Sequence, residues 1–346
     1  MKKFINKSFL FFNVLAVLAL VFCYLSPFID PSKFWLFSFF GLFFPVIFIV
    51  NAIFVVLWLL TNKKNAILST LFMIFGLQSF VNLNFGKQDE DNTGKSLRMA
   101  SYNLMGSWVS REEKSNTERE NYKKFLKDLS PVNVFAVQEA TQYSRDIFSE
   151  VFPKFQSHDI HKGVVLYTDL HVINKGEIDF GTVTNACLWM DVKMGVDTVR
   201  VYGLHLKSNK ISHDTQKMAD NPDIKEKKTW IGIKGILQKY KNALIIRSEQ
   251  AKLIAEHINS SPFKVIVLGD FNDTNLSYAY HEIKGANIDA FREAGNGFGS
   301  TYAGVIPFLR IDYCLVDKDF SVVNSQVIQS KYSDHYPLIS EIKLAQ

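Results

Sequence analysis

Apolar and polar residues are arranged differently in the two parts of this chain. Up to residue 83 the apolar residues come in unbroken runs, and from residue 98 onward they alternate with polar ones or recur at helical spacing. The first run, 9–28, follows Lys2, Lys3 and Lys7; the second, 34–60, carries no charge; the third, 66–83, is interrupted by Gln78 and Asn82. Crossing a bilayer as a helix takes about 20 apolar residues. The first two runs have that length and lack the polar stripe of a soluble core helix, and the third is marginal. The pattern predicts three transmembrane helices, at about 9–28, 34–60 and 66–83, making residues 1–85 a membrane anchor.

A secretory signal would also begin with such a run. Leu20-Val21-Phe22-Cys23 has the outline of a lipoprotein cleavage site, but Phe22 is too large for the position before the Cys, and no small-x-small site follows. The run is therefore expected to stay as an anchor in the lipid bilayer. Lysine bias sets orientation. Three Lys precede the first run and Lys63-Lys64 lie between the second and third, so both segments are expected on the cytoplasmic side. With three spans, a multi-pass protein results whose remaining residues face the extracytoplasmic side; with two, the orientation inverts. Residues 86–97 are charged and contain Gly, and read as a linker.

From 98 to 346 the pattern is α/β. Strands are expected at 98–104, 132–137, 163–167, 187–192, 198–206, 265–270 and 310–316. A helix is expected over 117–129, with Thr117 as cap and Tyr122, Phe125, Leu126 and Leu129 inward, and Ser130-Pro131 stops it. A second is expected over 247–258, with Ala251, Ile254, Ala255 and Ile258 inward. The polar, Lys-rich stretch 208–242 reads as a long, partly helical insertion. No repeat of fixed period appears.

Charge sharpens the division. Residues 1–83 hold six Lys and one acid, leaving 33 basic and 33 acidic residues, so the C-terminal part is formally neutral. It has no bulk positive field for polyanions. Cys23, Cys187 and Cys314 lie in apolar surroundings without metal-binding spacing and are expected as buried thiols.

Polar groups of one kind end the expected strands: Asn103, Glu139, His205, Asp270 with Asn272, Asp312, and Asp334 with His335. The set is rich in carboxylates and lacks Cys, and its His residues do not have zinc-helix spacing. A hard cation such as Mg²⁺ takes carboxylate and water oxygens. Phosphate-ester cleavage needs such a cation, an aligned water and donors around the phosphoryl oxygens. The inventory suits that chemistry better than Ser or Cys nucleophilic catalysis.

The ordered segments SYNL, VQE, GLHL, GDFND, RIDY and SDHYP resemble the endonuclease/exonuclease/phosphatase superfamily, the DNase I-like and exonuclease III-like metal-dependent phosphodiesterases, over residues 98–342. The resemblance implies a four-layer α/β sandwich of two packed mixed sheets, with the site at one end. It also implies roles: Glu139 binds Mg²⁺ (Mn²⁺ as an alternative), Asn103 sits beside the metal, and Asp334 lies near it. Asp270 would orient or deprotonate the attacking water, and Asn272 would hold water or a phosphate oxygen. His335 would contact the scissile phosphate with Asp312 buttressing its ring, and His205 would donate to a phosphate oxygen.

Competing assignments exist. His205 would otherwise be a core histidine, Asn103 a turn amide, and Asp312 the partner of Arg310. Arg247 reads as a solvated helix end. Thr301 and Arg310 have the position to reach a phosphate, and Trp108 and Trp230 to face substrate. The chain departs from relatives at Tyr167-Thr168-Asp169, where a Ser-Arg or Ser-Lys turn is usual, which would reshape the substrate rim; the insertion after His205 has the position of a lid or specificity loop. The expected activity is Mg²⁺-dependent phosphoester hydrolysis at a membrane, on nucleic acid or on a phosphorylated lipid or inositol headgroup. A degenerate binding module should have lost Glu139, Asp270 or Asp334, and all three are present. A transporter or membrane sensor would want polar groups within the spans.

Overall fold

The structure, a computed structural model, describes residues 2–80, 84–85, 96–105, 115–209, 227–304 and 308–344. Trp108, most of the expected linker (86–95) and much of the insertion (210–226) lie outside the described residues.

The N-terminal runs fold as α1 (Lys2–Leu25), a 3₁₀ turn (Ser26–Phe28), α2 (Pro31–Phe34), α3 (Leu36–Leu42), α4 (Phe44–Thr61) and α5 (Lys63–Phe80). The second apolar run is therefore not one span. It breaks at Phe43, because Pro45 in the first turn of α4 has no N–H for the carbonyl one turn back and its ring crowds that turn. Among the described residues, two helical segments, Asn6–Phe28 and Phe44–Thr61, are long and apolar enough to cross a membrane, and the marginal third run is not one of them. A buried polar chain ties α5 to the others. Trp58 Nε1 donates to Asn13 Oδ1, Asn13 Nδ2 to Ser69 Oγ, and Ser69 Oγ to Asn51 Oδ1. The sequence reading missed Asn13 and Asn51 as polar groups within the spans.

The remaining chain begins with β1 (Asn84–Phe85) and continues with β2 (Ser96–Asn103), α6 (Asn116–Asp128), β3 (Val134–Gln138), α7 (Gln142–Val151), β4 (Gln156–Asp159), β5 (Val165–Thr168), β6 (Val172–Ile178), β7 (Ala186–Met194) and β8 (Asp197–His205). Then come α8 (Lys227–Asn259), β9 (Lys264–Asp270), α9 (Tyr278–Lys284), β10 (Ile288–Asp289), α10 (Ala290–Ala294), β11 (Asn296–Gly297), β12 (Asp312–Val316), β13 (Phe320–Val327) and β14 (Leu338–Leu344).

Two six-stranded sheets form, in the orders β13-β14-β2-β3-β5-β4 and β10-β12-β9-β8-β7-β6. Each has one parallel pair, β2–β3 and β8–β9, with antiparallel neighbours. Period-two alternation explains the layers. In β3, Val134 and Ala136 enter the core between the sheets, whereas Phe135 and Val137 face α6 and α7. In β9, Ile266 and Leu268 face inward, and Val265 and Val267 pack under α8 and α9. Both faces of these strands are buried, giving the four-layer DNase I-like α/β sandwich.

Local expectations fail in instructive places. Ser115, not Thr117, caps α6, because its hydroxyl and Glu118 close a capping box. Residues 247–258 lie within the second half of one 33-residue helix, α8, which also takes in the 230–237 group. Cys23, Cys187 and Cys314 are buried free thiols, as expected.

The anchor helices pack on the sandwich. Asp30 pairs with Lys252, the Tyr240 hydroxyl donates to the Ser38 carbonyl at 3.1 Å, and Phe28 meets the His281 ring at 4.7 Å. Leu276 enters a cluster with Leu20, Cys23, Tyr24 and Phe44. Gly41 permits this approach, since a Cβ there would lie 2.6 Å from Ser26 Oγ and 3.1 Å from the Leu276 carbonyl.

Candidate active site

Strand register assembles the site. Asp270 ends β9, His205 ends β8 beside it, and Asp312 begins β12 on its other side, so His205, Asp270 and Asp312 stand in one row. Asn103 and Gln138 are paired at the ends of β2 and β3 in the facing sheet, and Glu139 follows. Glu139 and Asn272 both adopt left-handed backbone, with φ of 53° at each. For Glu this conformation costs about 1 kcal/mol or more, and it turns the carboxylate off the strand line into the cleft.

Gly269 makes the approach of β9 to β8 possible. A Cβ at that position would sit 2.2 Å from the Leu204 carbonyl oxygen, a backbone atom that cannot move without breaking the parallel ladder. Gly269→Ala is expected to abolish hydrolysis and sharply lower the yield of folded protein, measured by turnover and resistance to proteolysis.

Asp270 is the hub. Its Oδ1 accepts the Asn272 backbone N–H at 2.7 Å, and its Oδ2 accepts from Asn103 Nδ2 at 2.9 Å and Asn272 Nδ2 at 3.3 Å. Asn103 Nδ2 also approaches Glu139 Oε1, at 3.4 Å. Both imidazoles point here: His205 Nε2 lies 3.7 Å from Asp270 Oδ2 and 4.0 Å from Glu139 Oε1, and His335 Nε2 lies 3.9 Å from Asp270 Oδ2. His335 Nδ1 donates to Asp312 Oδ2 at 2.9 Å. Ser333 fixes this corner by donating to the Asn103 carbonyl at 2.8 Å and accepting the His335 N–H.

Electrostatics follow from burial. Desolvation alone would depress His335, but the carboxylates of Asp312 and Asp270 outweigh it and push its pKa up to about 10. Burial raises the Asp312 carboxyl to about 6, against the opposing pull of His335. Each partner thus favours the ionised form of the other across this contact. His205 Nε2 and Asp312 Oδ1 are buried without a hydrogen-bond partner. Such atoms are costly to leave unpaired, and His205 borders the cleft, on the side where a phosphate oxygen or a water would bind.

Seven of the eight expected residues therefore converge: Asn103, Glu139, His205, Asp270, Asn272, Asp312 and His335. Asp334 adjoins them through Ser333, with its carboxylate 3.5 Å from Ser333 Oγ, its carbonyl accepting from the Ala303 N–H, and its charge helping to raise the His335 pKa. His205 is buried but aimed at carboxylates rather than lodged in apolar core. Asn103 also makes the expected turn contact, its Oδ1 accepting from Met105 N–H.

Other assignments change. Arg310 pairs bidentately with Asp289, not Asp312, at 2.8 Å for each bond, so it does not reach a phosphate. Thr301 Oγ1 accepts the backbone N–H groups of Ile311 and Asp312, fixing the Asp312 backbone. Arg247 is fully buried. It holds Asp273 at 3.0 Å and the Lys207 carbonyl and Asn209 Oδ1 at 2.8 Å, joining the chain after His205 to the chain after Asn272. Thr168 and Asp169 do not shape the substrate rim. β5 runs antiparallel to β3, so they bond Asn133 at the end away from the site, while Gly163 lies beside Ala140. Trp230 is exposed on α8, outside the cleft lining.

A cleft of about 430 Å³ opens beside Glu139 and His205, walled by Asn185, Thr184, Lys162 and Lys207. The Lys162 ammonium is engaged by Glu177 and Asp179. Among the described residues, Asp270, Asp312 and His335 present ligand atoms within 4.8 Å of one another. Donors here are carboxylate and amide oxygens with imidazole and no thiolate, a set that fits a hard divalent ion.

Comparison with known proteins agrees. The model of the endonuclease/exonuclease/phosphatase family matches residues 100–335, and that of a domain family of unknown function matches residues 6–83. A search of curated protein sequences finds no match. Among solved structures, the endonuclease/exonuclease/phosphatase from Bacteroides vulgatus is 17% identical, with TM-score 0.54, covering 72% of this chain and 100% of that one. D. rerio TDP2 in complex with single-strand DNA product is 14% identical, with TM-score 0.53, over 72% and 100%. The human Nocturnin catalytic domain with bound sulfate is 13% identical, with TM-score 0.52, over 72% and 94%. At these identities the likeness is one of fold. The family match spans most of the chain and contains every converging residue, so the protein belongs to the endonuclease/exonuclease/phosphatase family of metal-dependent phosphoester hydrolases.

Proposed function

We propose that this protein is a membrane-anchored phosphodiester hydrolase that directs water in line onto a phosphoester, with Mg²⁺, or Mn²⁺ in its place, as cofactor. The observation that carries the reading is Asp270, a carboxylate bonded on one side by two amides and approached on the other by two imidazoles. A carboxylate so placed suits the role of holding a water and taking its proton. His205 and His335 flank that position and suit the phosphoryl oxygens. The imidazolium of His335 stabilises charge that grows on the phosphate, and Asp312 keeps its ring oriented. Asn272, its amide also bonded to the Leu206 carbonyl, holds the Asp270 carboxylate in place.

Glu139, Asn103 and Asp334 would hold the metal. When bound, such an ion neutralises charge on the phosphoryl oxygens. Glu139 suits a ligand role because its side chain is 40% exposed, whereas Asp270 and Asp312 are at 1%.

The apolar helices support the membrane part of the proposal. α5 lies beside α4 and α1, joined through Ser69 to Asn13 and by the Tyr24 hydroxyl to the Phe72 carbonyl, so the layer that takes α1 and α4 takes α5 too. Three spans then put the catalytic part on the extracytoplasmic side by the lysine bias.

The test uses the full chain in detergent with bis(p-nitrophenyl) phosphate. Turnover is expected with Mg²⁺, to disappear with EDTA, and to return with Mg²⁺ or Mn²⁺. Glu139→Gln is expected to weaken apparent metal affinity about 10–100-fold, read from the metal dependence of turnover and from calorimetric titration. Metal-independent turnover would remove the cofactor from the proposal.

A further inference from the structure

Sixteen consecutive residues, 294–309, lie between Glu293 and Arg310 without a single charge. The described part of this loop borders the catalytic groups. Thr301 binds the Asp312 backbone, and Tyr302 bridges to His335 with its ring centroid 5.1 Å from the imidazole. Farther out, the rings of Phe298 and Phe308 pack at a tilt of 40° with centroids 4.5 Å apart, yet remain 43% and 55% exposed. Two such rings held in water, in a stretch of chain without charge, form a surface that calls for an apolar or interfacial occupant.

Chain connectivity says which occupant. The chain leaving α5 meets this loop directly, since Asn84 and Phe85 pair with Gly297 and Asn296. Asn84 is four residues past the end of α5, a gap that extended chain covers in at most about 14 Å. The other attachment, Leu276 against Phe44 at the start of α4, lies just beyond Asp270 and Asn272. These two links lie at the catalytic end of the sandwich, while Asp30–Lys252 and Phe28–His281 tie the helices to its α8 and α9 flank. This step rests on the reading of the helices as membrane-spanning. The end of α5 then lies at the bilayer surface, and the aromatic pair falls within reach of the headgroup layer, where Phe rings are accommodated and uncharged backbone is tolerated.

We propose that Phe298 and Phe308 form a bilayer-contact wedge that seats the Asp312–His335 side of the site on the leaflet next to it, so that phosphoesters in lipid headgroups are the substrates within reach. A nucleic acid docking on this side would want cations, and residues 294–309 offer none.

The native thiols are buried, so Phe298→Cys in the full chain takes a polarity-sensitive thiol fluorophore selectively. Val196, 94% exposed in the β7–β8 turn at the opposite end of the strand from His205, gives the control label through Val196→Cys. In phosphatidylcholine–phosphatidylglycerol vesicles, the label at 298 should shift to the blue and be quenched by lipids carrying a nitroxide near the headgroup, while that at 196 should not. The Phe298→Ser/Phe308→Ser variant should cleave bis(p-nitrophenyl) phosphate within about twofold of the parent and vesicle phospholipid at least tenfold more slowly. An unquenched label at 298, or an unchanged phospholipid rate in the double variant, overturns the wedge. Alkaline carbonate separates the failures. Protein that washes off the vesicles refutes the anchor and the wedge with it, whereas protein that stays, cleaves the soluble ester and shows no quenching refutes the wedge alone. A parent that cleaves DNA or RNA but no vesicle phospholipid refutes the substrate class.

Discussion

Asp270→Asn should lower kcat by about 10²–10⁴-fold while leaving the sandwich folded, because the change removes a base and keeps the shape. The side chain is 1% exposed, so the substitution alters charge and hydrogen bonding and little else. An amide cannot satisfy both sides of the position. Asp270 Oδ1 accepts from the Asn272 backbone N–H at 2.7 Å and Oδ2 accepts from Asn103 Nδ2 at 2.9 Å. Either orientation of an asparagine amide sets an NH₂ against another donor, at a cost of about 1–3 kcal/mol. His335 also loses one of the carboxylates that keep it charged, so its pKa should fall towards the ordinary histidine value. Turnover, thermal unfolding and an NMR titration of the His335 ring together separate the chemistry from the fold. Unchanged kcat in a folded variant would take the water-orienting role away from Asp270.

How far this site was legible in the sequence depends on geometry. Asn103, Glu139, His205, Asp270 and Asp312 end or begin strands whose apolar alternation is plain, and a strand end in a sheet fixes position to within a residue. What the sequence did not carry was pairing. Arg310 was read against its neighbour Asp312 in sequence, whereas the sheet brings it to Asp289 at the end of β10, a two-residue strand with no periodic signal. The Arg247 signal was present and misread. Positions 247, 251, 254 and 258 share one helical face, so an arginine in line with Ala251, Ile254 and Ile258 is buried and must have a carboxylate partner. Pro45 likewise announced the break in the second apolar run. Strand direction was the remaining gap. The departure from relatives at Tyr167-Thr168-Asp169 suggests a reshaped substrate rim, but β5 runs against β3 and carries Thr168 and Asp169 to the far end.

The second large effect is on stability. Asp289→Asn should cost about 3–5 kcal/mol, since it leaves a buried guanidinium without its counter-charge. Few groups here carry so many bonds. Asp289 accepts two from Arg310, one from the Tyr280 hydroxyl at 2.7 Å, and the N–H groups of Phe291 and Arg292 as cap of α10. Arg310 is wholly buried and lies between the rings of Tyr313 and Phe291, at 4.7 and 5.4 Å, so it has no route to water. Burial would raise the Asp289 carboxyl, but the Arg310 guanidinium more than offsets it and holds the pKa below the ordinary value. A depressed folded pKa contributes stability that is present above the unfolded value, about 3.9, and is lost as pH falls through the folded one. The parent should therefore weaken in acid below about pH 4, and Asp289→Asn should lack that component of the acid loss. At pH 7 the variant should unfold about 6–20 °C lower, followed as the onset of proteolysis of the detergent-solubilised chain. Asp289→Leu with Arg310→Met should recover part of the loss, because it buries no charge, though the α10 cap stays missing. Arg310 directly precedes Ile311 and Asp312, and its carbonyl accepts the Tyr313 hydroxyl at 2.7 Å. Loosening this pair should therefore also cost turnover through the Asp312–His335 contact, whereas a single variant as stable as the parent would show that the guanidinium finds another partner.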